Sequence, residues 1–204
     1  MSLLYRLADK PVIAALRDSR NMSDVLERGA DICFVMGGTI NGLREAVSRA
    51  KAAGVGAFVH VDLIKGLSRS DKEAVEFIAA GTGADGIVTP KANLVHEAQR
   101  LGILAVLHLF IIDSLALQNG LRLIESVKPD AVEIMPGVIP KTIGLFAEAC
   151  GPIPVIASGL IESKAEVEAC LLAGAAGVST SSGGLWGLTY SELADGPSDP
   201  QSIL

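Results

Sequence analysis

Two hydroxyl-rich stretches in the last quarter of the chain carry the residue types that bind a phosphate. The first contains Ser158 and Gly159, and the second contains Ser179, Thr180 and Ser181. Glycine lets the backbone approach an anion without a Cβ clash, while free N–H groups and hydroxyls supply hydrogen-bond donors. We therefore predict that these five residues bind the phosphate of a small ligand. The alternative is that small residues here only let helices pack closely on a sheet.

Three ionisable residues, Asp62, Lys91 and Glu133, stand at or near the ends of apolar runs. Their charged groups can bind the hydroxyls of a small polyol, and we predict this role for them. Two alternatives stay open. The three residues could serve as an acid, a base and a Schiff-base lysine in catalysis. They could also form an internal ion-pair network, since a charge inside an apolar strand costs energy unless it is paired.

The histidines and cysteines do not indicate a metal site. His60 and His108 fall inside apolar runs, where a lone histidine is more often a hydrogen-bonded core residue than a ligand. The cysteines, Cys33, Cys150 and Cys170, are odd in number and lack the spacing of metal sites. We predict no metal and no cofactor, and three buried, reduced thiols.

The elements that would position these residues form a regular series. Between successive apolar runs lie roughly ten to twenty residues with helical spacing of apolar positions. This alternation predicts an α/β fold, a single-domain (β/α)8 TIM-type barrel with a short or irregular final helix, whose ligands bind where the strands end. The runs end near Arg17, Gly37, Asp62, Thr89, Phe110, Pro136, Gly159 and Thr180.

Length and composition agree with one such barrel. The chain has 204 residues, of which 50% are hydrophobic and only 4% aromatic, as suits a buried parallel sheet of aliphatic residues. We expect the barrel over residues 1–190 and a mobile tail over 191–204, where glycine and prolines occur without periodicity. The sequence does not decide the number of subunits, so a homo-oligomer stays open.

Charge and hydropathy limit the partners. The net charge of −6 argues against broad nucleic-acid binding but leaves room for a local basic patch. Arg17, Lys65 and Arg69 lie in the expected loops after the first and third strands, where they could contact an anion; contact of these residues with RNA is implied only by a family resemblance. No apolar stretch reaches the ~20 residues that span a membrane, and no export signal opens the chain. We expect a cytoplasmic protein without membrane contact.

Six segments stand out along the chain: 58–67, 84–88, 109–117, 128–141, 154–161 and 175–186. Taken together, they resemble the glycerol uptake operon antiterminator family. The resemblance implies a barrel that binds glycerol 3-phosphate and acts on an mRNA leader, letting transcription pass a terminator. It implies a sensor rather than an enzyme, and RNA binding is implied by the resemblance alone.

The chain departs from the family pattern at two positions expected near the mouth of the barrel. Gly38 stands where the family usually has an acidic residue, and His108 stands where it usually has arginine. These departures bear on the ligand more than on the fold, so a homologue that binds another phosphorylated ligand is one alternative. The other is a lyase or isomerase of a small phosphorylated sugar or polyol, with Lys91 as nucleophile or Glu133 as base.

Overall fold

Eight parallel strands close into a barrel in which each strand pairs with the next along the chain and the last pairs with the first. The structure, a computed structural model, describes residues 3–194. It confirms the predicted (β/α)8 architecture. The strands are β1 (Val12–Leu16), β2 (Ile32–Val35), β3 (Gly56–His60), β4 (Gly86–Thr89), β5 (Leu104–Phe110), β6 (Ala131–Met135), β7 (Val155–Ser158) and β8 (Gly177–Thr180).

Helices alternate with the strands and cover the outside of the barrel. No helix among the described residues has the length and apolarity that a membrane span requires. Short 3-10 turns occupy Ser19–Asn21, Val61–Leu63 and Gly183–Leu185, and a π-helical turn occupies Phe77–Thr82. The helices are α1 (Leu3–Leu7), α2 (Met22–Glu27), α3 (Ile40–Ala52), α4 (Lys72–Glu76), α5 (Ala92–Arg100), α6 (Ser114–Val127), α7 (Pro140–Cys150), α8 (Lys164–Leu172) and α9 (Tyr190–Ala194).

The strands are buried on both faces, and their alternate residues belong to two separate apolar clusters. Phe34, Phe58 and Ile156 belong to the cluster that fills the barrel. Val59 and Leu107 belong to the larger cluster between the sheet and the helices. This double burial explains why the strands read as nearly continuous apolar runs instead of alternating apolar and polar residues.

Helix α1 covers the amino-terminal end of the barrel. Leu3 and Leu7 are buried and belong to the interior cluster. The Arg6 guanidinium donates to the Gly54 carbonyl at 2.7 Å and so ties α1 to the chain before β3. Gly177 at the start of β8 packs closely against Leu7. A Cβ at position 177 would lie 2.9 Å from Leu7 Cδ2. The barrel is therefore filled and covered at this end.

The element bounds agree with the sequence prediction where a turn residue stops the apolar run. Every strand ends within two residues of the predicted end of its apolar run, and β4, β5 and β8 end on the predicted residue. Strand β3 was expected to reach Asp62 but ends at His60. Because Val61 is also apolar, the sequence gives no sign that the backbone turns there. Asp62 consequently lies in a 3-10 turn.

Side-chain caps form the starts of α6 and α8. The Asp113 carboxylate accepts from the Ala116 N–H at 2.7 Å, and Ser163 forms a capping box with Glu166. After β8 only the 3-10 turn and the short α9 follow, so the predicted short final helix is confirmed. Helix α9 crosses the predicted boundary at residue 190. The rest of the predicted tail, 195–204, lies outside the described residues.

Candidate functional site

The predicted phosphate residues of the last two strands line one cavity. It has a volume of about 110 Å³ and lies at the carboxyl ends of β1, β7 and β8. Ser158 and Ser179 are direct neighbours in the β7–β8 register, which explains why the two stretches meet. The predicted residues in the lining are Ser158, Gly159, Ser179, Thr180, Ser181 and Arg17. We refer to this space as the phosphate cavity, since an anion is the ligand that this lining suits.

Ser179 contributes a buried hydroxyl without a partner to the lining of the phosphate cavity. Its side chain is 1% exposed, and its Oγ has no hydrogen-bond partner within residues 3–194. Buried polar groups in proteins are nearly always hydrogen-bonded, so an unpartnered hydroxyl next to a cavity indicates a missing partner. A ligand oxygen in the cavity would accept this bond.

Thr180 has a different part in the site from the one predicted. Its Oγ1 donates to the Ile161 carbonyl at 2.6 Å and accepts from the Ser182 N–H at 3.0 Å. The Trp186 indole N–H donates to the Thr180 carbonyl at 2.8 Å. Because a hydroxyl has one proton, Thr180 Oγ1 cannot also donate to a phosphate. Thr180 therefore joins the two loops and shapes the cavity.

The loop after β7 has a left-handed backbone. Gly159 has φ 85°, and a Cβ there would lie 2.8 Å from Met135 Cγ. Leu160 follows with φ 62°, which is uncommon for a residue other than glycine, and its side chain is 72% exposed. Such conformations persist where the surrounding structure holds them, commonly at ligand sites. Glycine is thus required at position 159 for both conformation and space.

A second cavity lies beside the first at the centre of the barrel mouth. It has a volume of about 260 Å³, and Met36 and Met135 line both cavities. We refer to it as the mouth cavity. Its polar lining residues are His60, Asp62, Arg69 and His108, and its apolar ones are Met36, Leu63, Pro90, Phe110 and Met135. Of the predicted polyol-binding residues, only Asp62 lines it.

Glu133 lies beneath the mouth cavity and not in it. Its side chain is fully buried, with Oε2 placed 2.6 Å from His108 Nδ1 and 3.4 Å from His60 Nε2. The His60 contact is close enough for attraction but is not aligned as a hydrogen bond. Burial raises the pKa of the Glu133 carboxyl, but the His108 hydrogen bond and the nearby His60 outweigh it, so the pKa lies well below its usual range.

This arrangement corrects one prediction and confirms another. Glu133 cannot touch a polyol in the mouth cavity because its side chain is enclosed; its partners are the two histidines, and not Asp62 or Lys91 as in the alternative ion-pair network. The prediction that His60 and His108 are hydrogen-bonded core residues is confirmed for His108, which bonds to Glu133. His60 is buried with its Nε2 3.4 Å from the same carboxylate, although this nitrogen lacks a hydrogen bond.

Lys91 also differs from its prediction. It occupies the N-cap position of α5, and its Nζ donates to the Ser70 hydroxyl at 2.6 Å. Its side chain lines neither the phosphate cavity nor the mouth cavity. The lysine therefore connects the loops after β3 and β4 and is displaced from the position that a polyol ligand or a Schiff base would need.

The predicted cations surround the two cavities. Arg17 lines the phosphate cavity and Arg69 the mouth cavity, while Lys65 is exposed on the loop after β3. None of the three makes a side-chain ion pair with any residue between 3 and 194. Arg20, by contrast, is paired with Asp18 at 2.6 Å. The positive charges of Arg17, Arg69 and Lys65 thus have no carboxylate partner among the described residues and are available to an anionic partner.

The cysteines are free and buried as predicted. Burial raises the pKa of the Cys33 thiol to about 12, so it stays protonated and unreactive. Within the described part of the chain, no group of three or more His, Cys, Asp or Glu residues is arranged to hold a metal ion.

Sequence reasoning assigned no ligand role to His60 and His108, which the structure places in the lining of the mouth cavity. The sequence does carry a sign of this position. His60 stands two residues before the predicted site residue Asp62, and His108 stands near the end of β5. The decisive fact is the register, in which His108 pairs with Glu133 across β5 and β6.

Comparison with known proteins gives a family match over most of the chain. Residues 12–186 match the model of a family described as glycerol-3-phosphate responsive antiterminator. YgcP, an uncharacterised protein of Escherichia coli strain K12, is 34% identical over 188 residues, which cover 92% of this chain and 97% of that protein.

Solved structures agree with the family match. The glycerol uptake operon antiterminator regulatory protein of Listeria monocytogenes is 34% identical with a TM-score of 0.78, covering 83% of this chain and 91% of that one. An antiterminator-related protein of Thermotoga maritima is also 34% identical, with a TM-score of 0.77 over 88% of this chain and 99% of that one. The deoxyribose phosphate aldolase of Aeropyrum pernix is 18% identical with a TM-score of 0.68, covering 88% of each chain, a likeness of fold alone.

Proposed function

The chain belongs to the glycerol-3-phosphate responsive antiterminator family, and we propose that it senses glycerol 3-phosphate and regulates glycerol metabolism as a transcription antiterminator. In this proposal the ligand binds at the barrel mouth, and the protein acts on an mRNA leader. The family match supports the regulatory class, while the geometry of the mouth supports the ligand and the side of the barrel on which it binds.

The observation that carries the proposal is the unpartnered Ser179 hydroxyl in the phosphate cavity. Ser179 pairs with Ser158 in the β7–β8 register, and its unpartnered hydroxyl indicates that a hydrogen-bond acceptor is missing. Arg17 lines the same cavity and adds a positive charge. A phosphate monoester supplies both the acceptor oxygens and the negative charge that these groups lack.

The carbon chain of the ligand would extend into the mouth cavity. The two cavities share Met36 and Met135, so a phosphate in one places its ester substituent at the entrance of the other. Asp62 is the predicted polyol-binding residue that remains in a position to accept from a ligand hydroxyl. A phosphorylated triol therefore matches the polar groups of both spaces.

The contact with RNA would use the cations around the mouth. Arg17, Lys65 and Arg69 keep their charge available, and RNA affinity comes largely from neutralising phosphates with such side chains. Their place on the ligand face supports a coupling in which ligand and RNA affect each other's affinity.

The positions of two residues support a sensor over the alternative lyase or isomerase. A Schiff-base lysine has to reach the substrate carbonyl, but Lys91 is bonded to Ser70 outside both cavities. A general base has to come within hydrogen-bond reach of the proton that it takes. Glu133 is enclosed beneath the histidines and does not reach the cavity.

Calorimetric titration with glycerol 3-phosphate tests the proposal directly. We expect saturable binding, weakened about tenfold or more in Ser179→Ala, because a hydrogen bond to a charged acceptor contributes roughly 1.5 to 3 kcal/mol. Ser182→Ala is the matched control, since Ser182 lies in the same loop but does not line the phosphate cavity. Absence of binding to the unmodified protein, or equal affinity in Ser179→Ala, would refute the proposed site.

A further inference from the structure

We infer that the mouth cavity selects an uncharged, hydroxyl-bearing end of the phosphorylated ligand, with Asp62 and His108 as the residues that determine specificity. The inference rests on the proposed function, because it takes the phosphate to lie in the neighbouring phosphate cavity. It goes further in naming what the ligand's other end must carry and what it must lack. A second phosphate or a carboxylate at that end is rejected.

Asp62 presents an acceptor that nothing in the described chain satisfies. Its Oδ2 is enclosed and has no hydrogen-bond partner among residues 3–194, and the side chain lines the mouth cavity. An ionised carboxylate only accepts hydrogen bonds, so the matching ligand group is a donor such as a hydroxyl. A negatively charged ligand group at the same place would face the carboxylate at short range with little water between them, which is unfavourable.

His108 is held so that one ring nitrogen is left for the ligand. Its Nδ1 lies 2.6 Å from Glu133 Oε2, so this ring nitrogen is occupied by the carboxylate. The ring also packs edge-on against Phe110 and His60, at centroid distances of 4.5 and 5.5 Å. The other nitrogen, Nε2, bonds to no described residue, and the ring lines the mouth cavity. A carboxylate behind a histidine fixes its orientation in this way at many binding sites.

The remaining lining limits the size and nature of the ligand. Met36, Met135 and Phe110 offer apolar contact to carbon-bound hydrogens. The volume of about 260 Å³ lies below the roughly 300 to 1,000 Å³ of sites for drug-sized ligands, so a chain of a few carbon atoms suits it. Arg69 also lines the cavity, but it is exposed at the rim, where water screens its charge. The enclosed Asp62 therefore dominates the selection.

Competition calorimetry on the unmodified protein tests the inference without any variant. The ligands are glycerol 3-phosphate, propyl phosphate, which has the same carbon chain without hydroxyls, and 3-phosphoglycerate, which replaces the terminal alcohol by a carboxylate. We expect glycerol 3-phosphate to bind at least about tenfold more tightly than either of the others. Inorganic phosphate measures the contribution of the phosphate cavity alone.

Two variants assign the selection to residues. Asp62→Asn and His108→Gln are each expected to reduce the preference for glycerol 3-phosphate over propyl phosphate severalfold, while the affinity for propyl phosphate stays within about twofold. Asp71→Asn and His96→Gln are the matched controls, since both residues are exposed and line neither cavity. Asp62 lies in a turn, so its variant remains informative if His108→Gln is too unstable to measure.

The outcomes separate this inference from the proposed function. If glycerol 3-phosphate does not bind at all, the proposed function is wrong. If it binds but propyl phosphate or 3-phosphoglycerate binds equally well, the sensor proposal stands and the selection by the mouth cavity is wrong. An unchanged preference in Asp62→Asn likewise overturns the role of Asp62.

Discussion

A carboxylate enclosed in the barrel is the most unusual single residue of this protein. Moving an isolated charge from water into an apolar interior costs many kcal/mol, so Glu133 depends on the two imidazoles beside it. Its second oxygen, Oε1, has no partner within the described residues. Glu133 is therefore better understood as the support of His108 than as a source of stability.

The lowered pKa of the Glu133 carboxyl makes stability depend on pH in a defined direction. The folded protein keeps this group ionised below its ordinary pKa of 4.5, while the unfolded chain takes up a proton there. The stabilisation is thus complete above pH 4.5 and lost as the pH falls below it, by up to about 1.4 kcal/mol per pH unit.

Urea unfolding at pH 6, 5, 4 and 3 measures this effect in the unmodified protein and in Glu133→Gln. We expect Glu133→Gln to be less stable at pH 6, because it replaces the charge-assisted hydrogen bond to His108 by a weaker neutral one. The stability difference between the two proteins is expected to shrink as the pH falls from 5 to 3. Parallel pH profiles would contradict the assignment of a lowered pKa to Glu133.

At the scale of elements, the loop after β8 depends on one indole. Trp186 donates to the Thr180 carbonyl, and Thr180 in turn donates to the Ile161 carbonyl of the loop after β7. The two loops that form the phosphate cavity are thereby joined to each other and to the short 3-10 turn Gly183–Leu185. Their shape is fixed before any ligand arrives, which lowers the entropic cost of binding.

Trp186→Phe tests this connection. Losing one hydrogen bond and some packing is expected to lower the free energy of unfolding by about 1 kcal/mol. Phosphate-ligand affinity is expected to fall severalfold, although the residue does not line the phosphate cavity. Denaturant unfolding and calorimetry measure the two effects. Tyr190→Phe is the control, and a loss of stability in Trp186→Phe without any loss of affinity would contradict the connection.

The ends of the strands were predictable from the sequence where a glycine, a proline or a charged residue interrupts the apolar run. The Pro-Lys pair that follows β4 marks its end, which lies at Thr89 as expected. The end of β3 was missed because the next residue, Val61, is as apolar as the strand. Helix α1 was missed because its five residues are too few for a helical period to be recognised.

The candidate site was predictable only where neighbouring strands supply it. Ser158 and Ser179 end adjacent strands, so their meeting follows from the fold. The pairing of His108 with Glu133 requires the β5–β6 register, which hydrophobic pattern alone does not give. The direction of Lys91 depends on how two loops pack, and the sequence carries no signal for its bond to Ser70.

At the scale of the whole molecule, ligand binding is expected to raise thermal stability. A ligand at 100 times its dissociation constant stabilises the folded state by about 2.7 kcal/mol. For a chain of this size each kcal/mol raises the melting temperature by roughly 2 to 4 °C. Thermal unfolding with glycerol 3-phosphate, and with glycerol as the control that lacks the phosphate, measures this. No shift at millimolar glycerol 3-phosphate would contradict the sensor proposal.

RNA binding, if carried by the mouth cations, depends on salt. Reversing two charges in Lys65→Glu with Arg69→Glu is expected to weaken binding to a leader transcript and to lower the salt slope of log K by about 0.7 for each lost contact. Filter binding at several salt concentrations measures both.

The matched control is Arg122→Glu with Lys128→Glu, which changes the net charge equally. Both residues are exposed, and Lys128 lies at the end of α6 away from the mouth. Equal affinity of the two double variants for the leader transcript would contradict the proposed RNA surface. Because Arg69 lines the mouth cavity, both double variants are compared at the same fractional ligand occupancy.

Within the described residues, Leu3 and Leu7 of helix α1 close the barrel end opposite the mouth, so the proposed ligand would enter and leave through the mouth. A nucleic acid lying across that route would delay departure as well as arrival. The residence time of glycerol 3-phosphate would then lengthen on the RNA-bound protein, so a brief rise in its concentration would leave a regulatory effect that outlasts it.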